Sequence, residues 1–252
     1  LMATGMEEND VRYATGLVAT DPFCLFLEGS RRHLLVSALE ASRARKTCPA
    51  AVLHTPAQLF ADAAPRRRSL NDQVLELVRQ LKFRAVQVGP HFPVGVARAL
   101  ERGGVKVRLA ATPAFPRRAI KSPREIACIA KSQRAAVAAV RAAIRCIHDA
   151  KITSSGLLKH NGKPLTSESL KDLIEATLLR HGCSAEGTIV AVGPQGARPH
   201  EVGSGPLRAG VPIVIDVFPR DKATGYWGDL TRTVVRGRAS AAVRRLHRDV
   251  LA

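Results

Sequence analysis

The sequence predicts a mixed α/β protein made of two successive units, on three observations. Of the 252 residues, 46% are hydrophobic but only 4% aromatic. A core of that size must be packed from Ala, Val and Leu, and it suffices for one large domain or two smaller ones. Short apolar runs suited to strands alternate with amphipathic segments suited to helices along the whole chain. Residues 112–125, TPAFPRRAIKSPRE, carry three prolines and four cationic side chains without hydrophobic period, as a connection would.

In chain order, FCLFLE (23–28) and HLLVSALE (33–40) read as two strands of a hairpin turning at Gly29-Ser30. NDQVLELVRQLKF (71–83) has apolar residues at 74, 75, 77, 78 and 81, an amphipathic helix with Asn71 or Asp72 as its cap. RAVQVGP (84–90) is the next strand, VGVARALERGG (94–104) a helix stopped by glycine, and VKVRLAA (105–111) an alternating strand. After the connection, 122–150 reads as a long helix. Ser122 is its cap, Pro123 its first residue, and Glu125 completes a capping box. TSESLKDLIEATLLRHG (166–182) repeats that grammar, with Thr166 or Ser167 capping and Gly182 closing. TIVAVG (188–193) is a strand, 194–210 a Gly/Pro-rich loop, and VPIVIDVF (211–218) a buried strand. GYWGDLTRTVV (225–235) returns as its hairpin partner, and a helix begins at 240. The expected division is 1–115 and 116–252.

Composition narrows the function classes. Five scattered cysteines with no CxxC pair argue against a disulfide framework or zinc finger and suit a reducing cytoplasm. No apolar run reaches the eighteen or so residues of a membrane span. No signal peptide is visible, although the sequence opens on Leu1 rather than Met. The net charge of +18 raises nucleic acid as a partner. The densest cluster, Arg66-Arg67-Arg68, has no interleaved aromatics on which bases could stack, so nucleic acid is not expected.

The question the sequence poses is Asp216, set inside the apolar run PIVIDV, with Asp229 thirteen positions later. Direct cross-strand pairing of the two would centre the turn between Lys222 and Ala223 and bring both carboxylates onto one face, about 5 Å apart at Cβ. Adjacent carboxylates in a low-dielectric sheet must share a proton, meet cations such as Arg232, Arg220 or Lys222, or hold metal. A pair of carboxylates also suits a two-metal hydrolytic site. Spacing alone leaves the metal reading and the salt-bridged structural reading open.

The ordered series from IVAVGPQGARPHEVG through VIDVF to GDLTRTVVRG resembles the first half of the catalytic domain of the M24 pita-bread metallopeptidases. That family includes Xaa-Pro aminopeptidase, prolidase, methionine aminopeptidase and creatinase. YATGLVATDP (13–22) resembles the opening of the N-terminal creatinase/prolidase-type α/β domain, and IKSPREIACIAKSQRA (120–135) the helix that opens the catalytic domain.

This resemblance implies a metal-dependent exopeptidase cleaving an Xaa-Pro bond in a peptide with proline at its second position, a homodimer, and two divalent ions, Mn first, Co or Zn otherwise. Asp216 would chelate one ion and Asp229 bridge both. His200 would bond the scissile carbonyl or the tetrahedral intermediate, and Thr231 would fix the bridging carboxylate. The family completes its site with a histidine and two glutamates well downstream. Here 23 residues follow Asp229, with no glutamate among them and His247 as the one histidine. The sequence is therefore expected to be a C-terminally truncated, inactive portion of such an enzyme. Two alternatives stand beside it: a non-catalytic binding module of the same fold, and a metal-free creatinase-like hydrolase, against which the two retained aspartates argue.

Overall fold

The structure, a computed structural model, describes residues 2–3, 9–61, 68–111 and 114–252. Arg66, Arg67, Thr112 and Pro113 lie outside the described residues. The chain divides into two compact units, Leu1–Ile120 and Lys121–Ala252, and the architecture is the mixed α/β one expected.

The first unit runs β1 (Met2–Ala3), α1 (Asn9–Thr15), β2 (Phe23–Glu28), β3 (Arg31–Leu35), α2 (Ala38–Thr47), β4 (Val52–His54), α3 (Pro56–Leu59), α4 (Leu70–Gln80), β5 (Ala85–Val88), α5 (Val94–Arg102) and β6 (Lys106–Leu109). The expected hairpin is present: Glu28 pairs with Arg31 across Gly29, whose φ of +57° suits a two-residue turn. β1 to β4 form one sheet in that order, with β3 and β4 parallel, while β5 and β6 form a separate parallel pair. Alternation along β2 feeds two cores. Phe23 and Leu25 pack with Val11, Leu17 and Leu34, whereas Cys24 packs with Leu77, Val78 and Leu100.

Two local expectations are corrected. The second hairpin strand ends at Leu35, because Ala38-Leu39-Glu40 are strong helix formers and open α2. The cap of α4 is Ser69. Asp72 sits at the third helical position and closes a capping box, accepting from Ser69 N–H at 3.0 Å.

The second unit begins with α6 (Pro123–Asp149), opened by the predicted box: Ser122 N–H donates to Glu125 Oε2 at 2.8 Å. A small meander follows, β7 (Lys151–Ile152), β8 (Leu158–His160) and β9 (Lys163–Pro164), and then α7 (Ser167–Arg180), capped by Thr166. Buried Ala135, Ala139 and Ala143 give α6 a narrow face against α7, which offers Leu170, Ile174 and Leu178 at four-residue spacing. After β10 (Cys183–Ser184) come β11 (Ile189–Val192), β12 (Pro212–Val217), β13 (Arg220–Asp221), β14 (Leu230–Val235) and α8 (Ala241–Leu251). β11, β12 and β14 form an antiparallel sheet with β12 central, and β13 pairs with β10.

β12 was expected to be a buried strand, and it is buried on one face only. Ile213, Ile215 and Val217 are fully enclosed in the core with α6 and α7, whereas Val214, Asp216 and Phe218 lie half-buried on the other face. An antiparallel sheet packs one face and leaves the other accessible, which is how an aspartate fits into this apolar run. Among the described residues no helix is long and apolar enough to cross a membrane.

Candidate metal centre

The register between β12 and β14 sets Asp216 opposite Thr231 and Val217 opposite Leu230. Asp229 thus falls opposite Phe218 rather than opposite Asp216. The turn centres one position later than expected, and its loop is organised by Asp221. Thr224 donates its N–H (2.7 Å) and hydroxyl (2.8 Å) to Asp221 Oδ1, and Gly225 N–H donates to Asp221 O at 2.7 Å. Moving the centre by one position shifts the pairing by two, and a two-residue shift preserves the face. By this alternation the aspartates share the accessible face as diagonal neighbours, a spacing of about 7–8 Å.

Each is held differently. Thr231 Oγ1 donates to Asp216 Oδ1 at 2.5 Å, so Thr231 orients Asp216 and not Asp229 as expected. The backbone of Asp229 is gripped by the Gln133 side chain of α6, which accepts from Asp229 N–H and donates to Asp229 O, both at 2.9 Å. Gly228, beside it, lies so close to α6 that a Cβ would come within 2.6 Å of the Ser132 carbonyl carbon.

Two of the cations considered as counter-charges, Arg232 and Arg220, have other contacts. Arg232 pairs with Ile215 on the opposite face and donates to Thr231 O at 2.7 Å. The Arg220 guanidinium lies over the Trp227 ring, 5.6 Å from its centroid. Among the described residues neither Asp216 nor Asp229 is in an ion pair. The chain has 39 lysines and arginines against 21 acidic residues, so cations are not scarce. Asp221 shows the contrast: it is fully buried and paired with the Lys131 ammonium at 2.5 Å. Burial pushes its carboxyl upward, but Lys131 and the two Thr224 donors prevail and hold it below the usual range.

His200 is exposed in a turn after the 3₁₀ segment Gly193–Ala197, and among the described residues it makes no hydrogen bond or ion pair. Its loop crosses the face that carries Asp216: a Cβ on Gly196 would lie 2.9 Å from Val214 Cγ2, two positions before Asp216 on that face. The loop is tied down at its far end too. Gln195 Nε2 donates to Ser204 O at 3.1 Å, Glu168 accepts from Gly205 N–H at 3.0 Å, and Lys171 donates to Gly203 O at 3.0 Å.

The chemistry of this face is that of oxygen donors for a hard or borderline divalent cation, supplied in part. The donors fit such ions, and among the described residues no group of three His, Cys, Asp or Glu side chains converges to enclose one. Sequence reasoning missed Gln133 and Asp221. Gln133 lies almost a hundred residues from its partner, and no local motif links them.

Residues 127–252 match the model of Metallopeptidase family M24. No curated protein sequence matches the chain. Solved structures with similar folds include an Xaa-Pro dipeptidase from Bacillus anthracis, with TM-score 0.80, 18% identity, and coverage of 98% of this chain and 63% of that one. Prolidase from Pyrococcus furiosus follows with TM-score 0.74, 20% identity, and coverage of 96% and 64%. X-Pro aminopeptidase from Thermotoga maritima MSB8 gives TM-score 0.74, 18% identity, and coverage of 99% and 66%. The chain thus spans just under two-thirds of the length of each.

Proposed function

The chain belongs to metallopeptidase family M24, and we propose that it supplies the amino-terminal domain and the first two metal ligands of an Xaa-Pro exopeptidase. The observation that carries this reading is the pair Asp216 and Asp229, on one sheet face and, among the described residues, without a cationic partner, in a chain of net charge +18. A structural pair of carboxylates would be expected to recruit some of that charge, as Asp221 does with Lys131.

Asp216, oriented by Thr231, would hold one divalent ion, and Asp229 would serve two, with Mn the first choice and Co or Zn the others. When bound, such ions supply Lewis acidity toward a carbonyl and an activated water. His200, on the loop crossing the same face, would donate a hydrogen bond to the scissile carbonyl oxygen and strengthen it as charge develops there. The substrate would be a peptide with proline in second position, and the setting a cytoplasmic homodimer. The remaining ligands would come from residues outside these 252, so the 252-residue chain by itself is expected not to turn over.

Hydrolysis of an Xaa-Pro dipeptide with added Mn(II) tests this, comparing the 252-residue chain with a gene product of the relatives' full length. Activity in the longer protein alone supports the reading. Turnover by the 252 residues would contradict the ligand count. A longer protein with no bound metal and steeply salt-dependent nucleic-acid binding would favour a binding module instead.

A further inference from the structure

β14 is the edge of its sheet, so alternate peptide groups along it face away from β12. At Asp229 both the N–H and the C=O that face outward are taken by one side chain. Gln133 Oε1 accepts from the N–H at 2.9 Å, and Nε2 donates to the carbonyl at 2.9 Å. A primary amide thus does what a neighbouring strand would do. These two bonds hold the peptide planes on either side of the Asp229 Cα, and so fix the direction of its Cα–Cβ bond. Among the described residues the Asp229 carboxylate itself accepts no hydrogen bond. Asp216, in contrast, is aimed through its side chain by Thr231.

Flanking contacts place the whole segment on the same stretch of α6. Ser132 Oγ donates to Tyr226 O at 2.8 Å, and Tyr226 Oη donates to Glu125 Oε1 at 2.8 Å. Gly228 admits no Cβ against the Ser132 backbone. The helix therefore fixes where the strand passes, and Gln133 fixes how residue 229 is turned.

We propose that Gln133 is the positioning residue of the Asp229 carboxylate, setting through the backbone where that ligand meets a divalent cation. The inference rests on the metal reading of Asp216 and Asp229 and adds a part to it. Glutamine suits the task because the clasp needs one acceptor and one donor on a planar group. Leucine offers neither, and glutamate keeps the acceptor but sets a negative charge against the Asp229 carbonyl.

The test uses the 252-residue chain with Mn(II) as probe, free Mn(II) being measured by electron paramagnetic resonance. The wild type, Gln133→Leu, Gln133→Glu and Asp216→Asn are compared. Gln133→Leu is expected to weaken Mn(II) binding about tenfold or more, the usual effect of losing a group that orients a ligand. Its circular dichroism should be retained and the Asp229 amide should exchange faster. Gln133→Glu is expected to fall between it and wild type, and it carries the test if the leucine variant does not fold. Wild-type affinity in both variants, with the Asp229 amide loosened, would overturn the positioning role and leave the metal reading standing. Equal binding by wild type and Asp216→Asn would remove the metal reading, and this inference with it.

Discussion

A methyl group on Gly203 would lie 1.8 Å from the Val190 carbonyl oxygen, at a φ of +76° that L-residues avoid. Gly203→Ala should therefore cost roughly 3 kcal/mol or more in a denaturant titration, since clash and strain add. Glu125 gives a prediction of another kind. The Ser122 N–H, the Ser122 hydroxyl and the Tyr226 hydroxyl hold its carboxyl down, from an ordinary 4.5 to about 2. A carboxylate depressed in the folded state stabilises above its unfolded value and loses that contribution as pH falls through the folded one. Stability should decline between about pH 4.5 and pH 2, and Glu125→Gln should flatten that part of the profile measured by urea unfolding. Among the cysteines, burial pushes the Cys24 thiol up to about 11, whereas Cys128 is partly exposed. A thiol reagent at neutral pH is expected to reach Cys128 first and leave Cys24 unmodified until the chain unfolds.

At the scale of elements, β12 divides its two faces between different tasks. Ile215 is fully buried against the helices, and its neighbour Asp216 faces the other way. Ile215→Ala should cost about 2–5 kcal/mol, whereas Thr233→Ala on exposed β14 should stay within about 0.5 kcal/mol, both read from denaturant midpoints. The elements legible in the sequence were those with local signals: the box at Ser122, the cap at Thr166, the four-residue rhythm of α7, the turn at Gly29-Ser30. α2 was hidden because HLLVSALE runs apolar from strand into helix, and the Ser37 hydroxyl that could have marked a cap bonds Asp21 instead, at 2.7 Å. The turn between β12 and β14 was misplaced by one position because Asp221 captures Thr224 through its side chain, a choice that ladder pairing alone does not specify. The shared face survived that error because a side-chain period of two tolerates an even shift.

At the scale of the molecule, a sequence dominated by positive charge keeps two carboxylates together on an accessible face with no cationic partner among the described residues. The fold class and the family were legible because they rest on order and periodicity along the chain. The grip of α6 on Asp229 was not, since it joins side chains and backbone far apart in sequence, and neither residue type announces it. A net charge of +18 opposes diffuse accumulation of cations, so divalent binding that does occur should report a specific set of oxygens. The most direct measurement is Mn(II)-induced broadening of backbone amide resonances in the 252-residue chain, repeated with Asp216→Asn plus Asp229→Asn. Broadening is expected to centre on residues 189, 216 and 229–231 and to disappear in the double variant. Broadening that is absent there, or that persists unchanged without the two carboxylates, would contradict the metal reading.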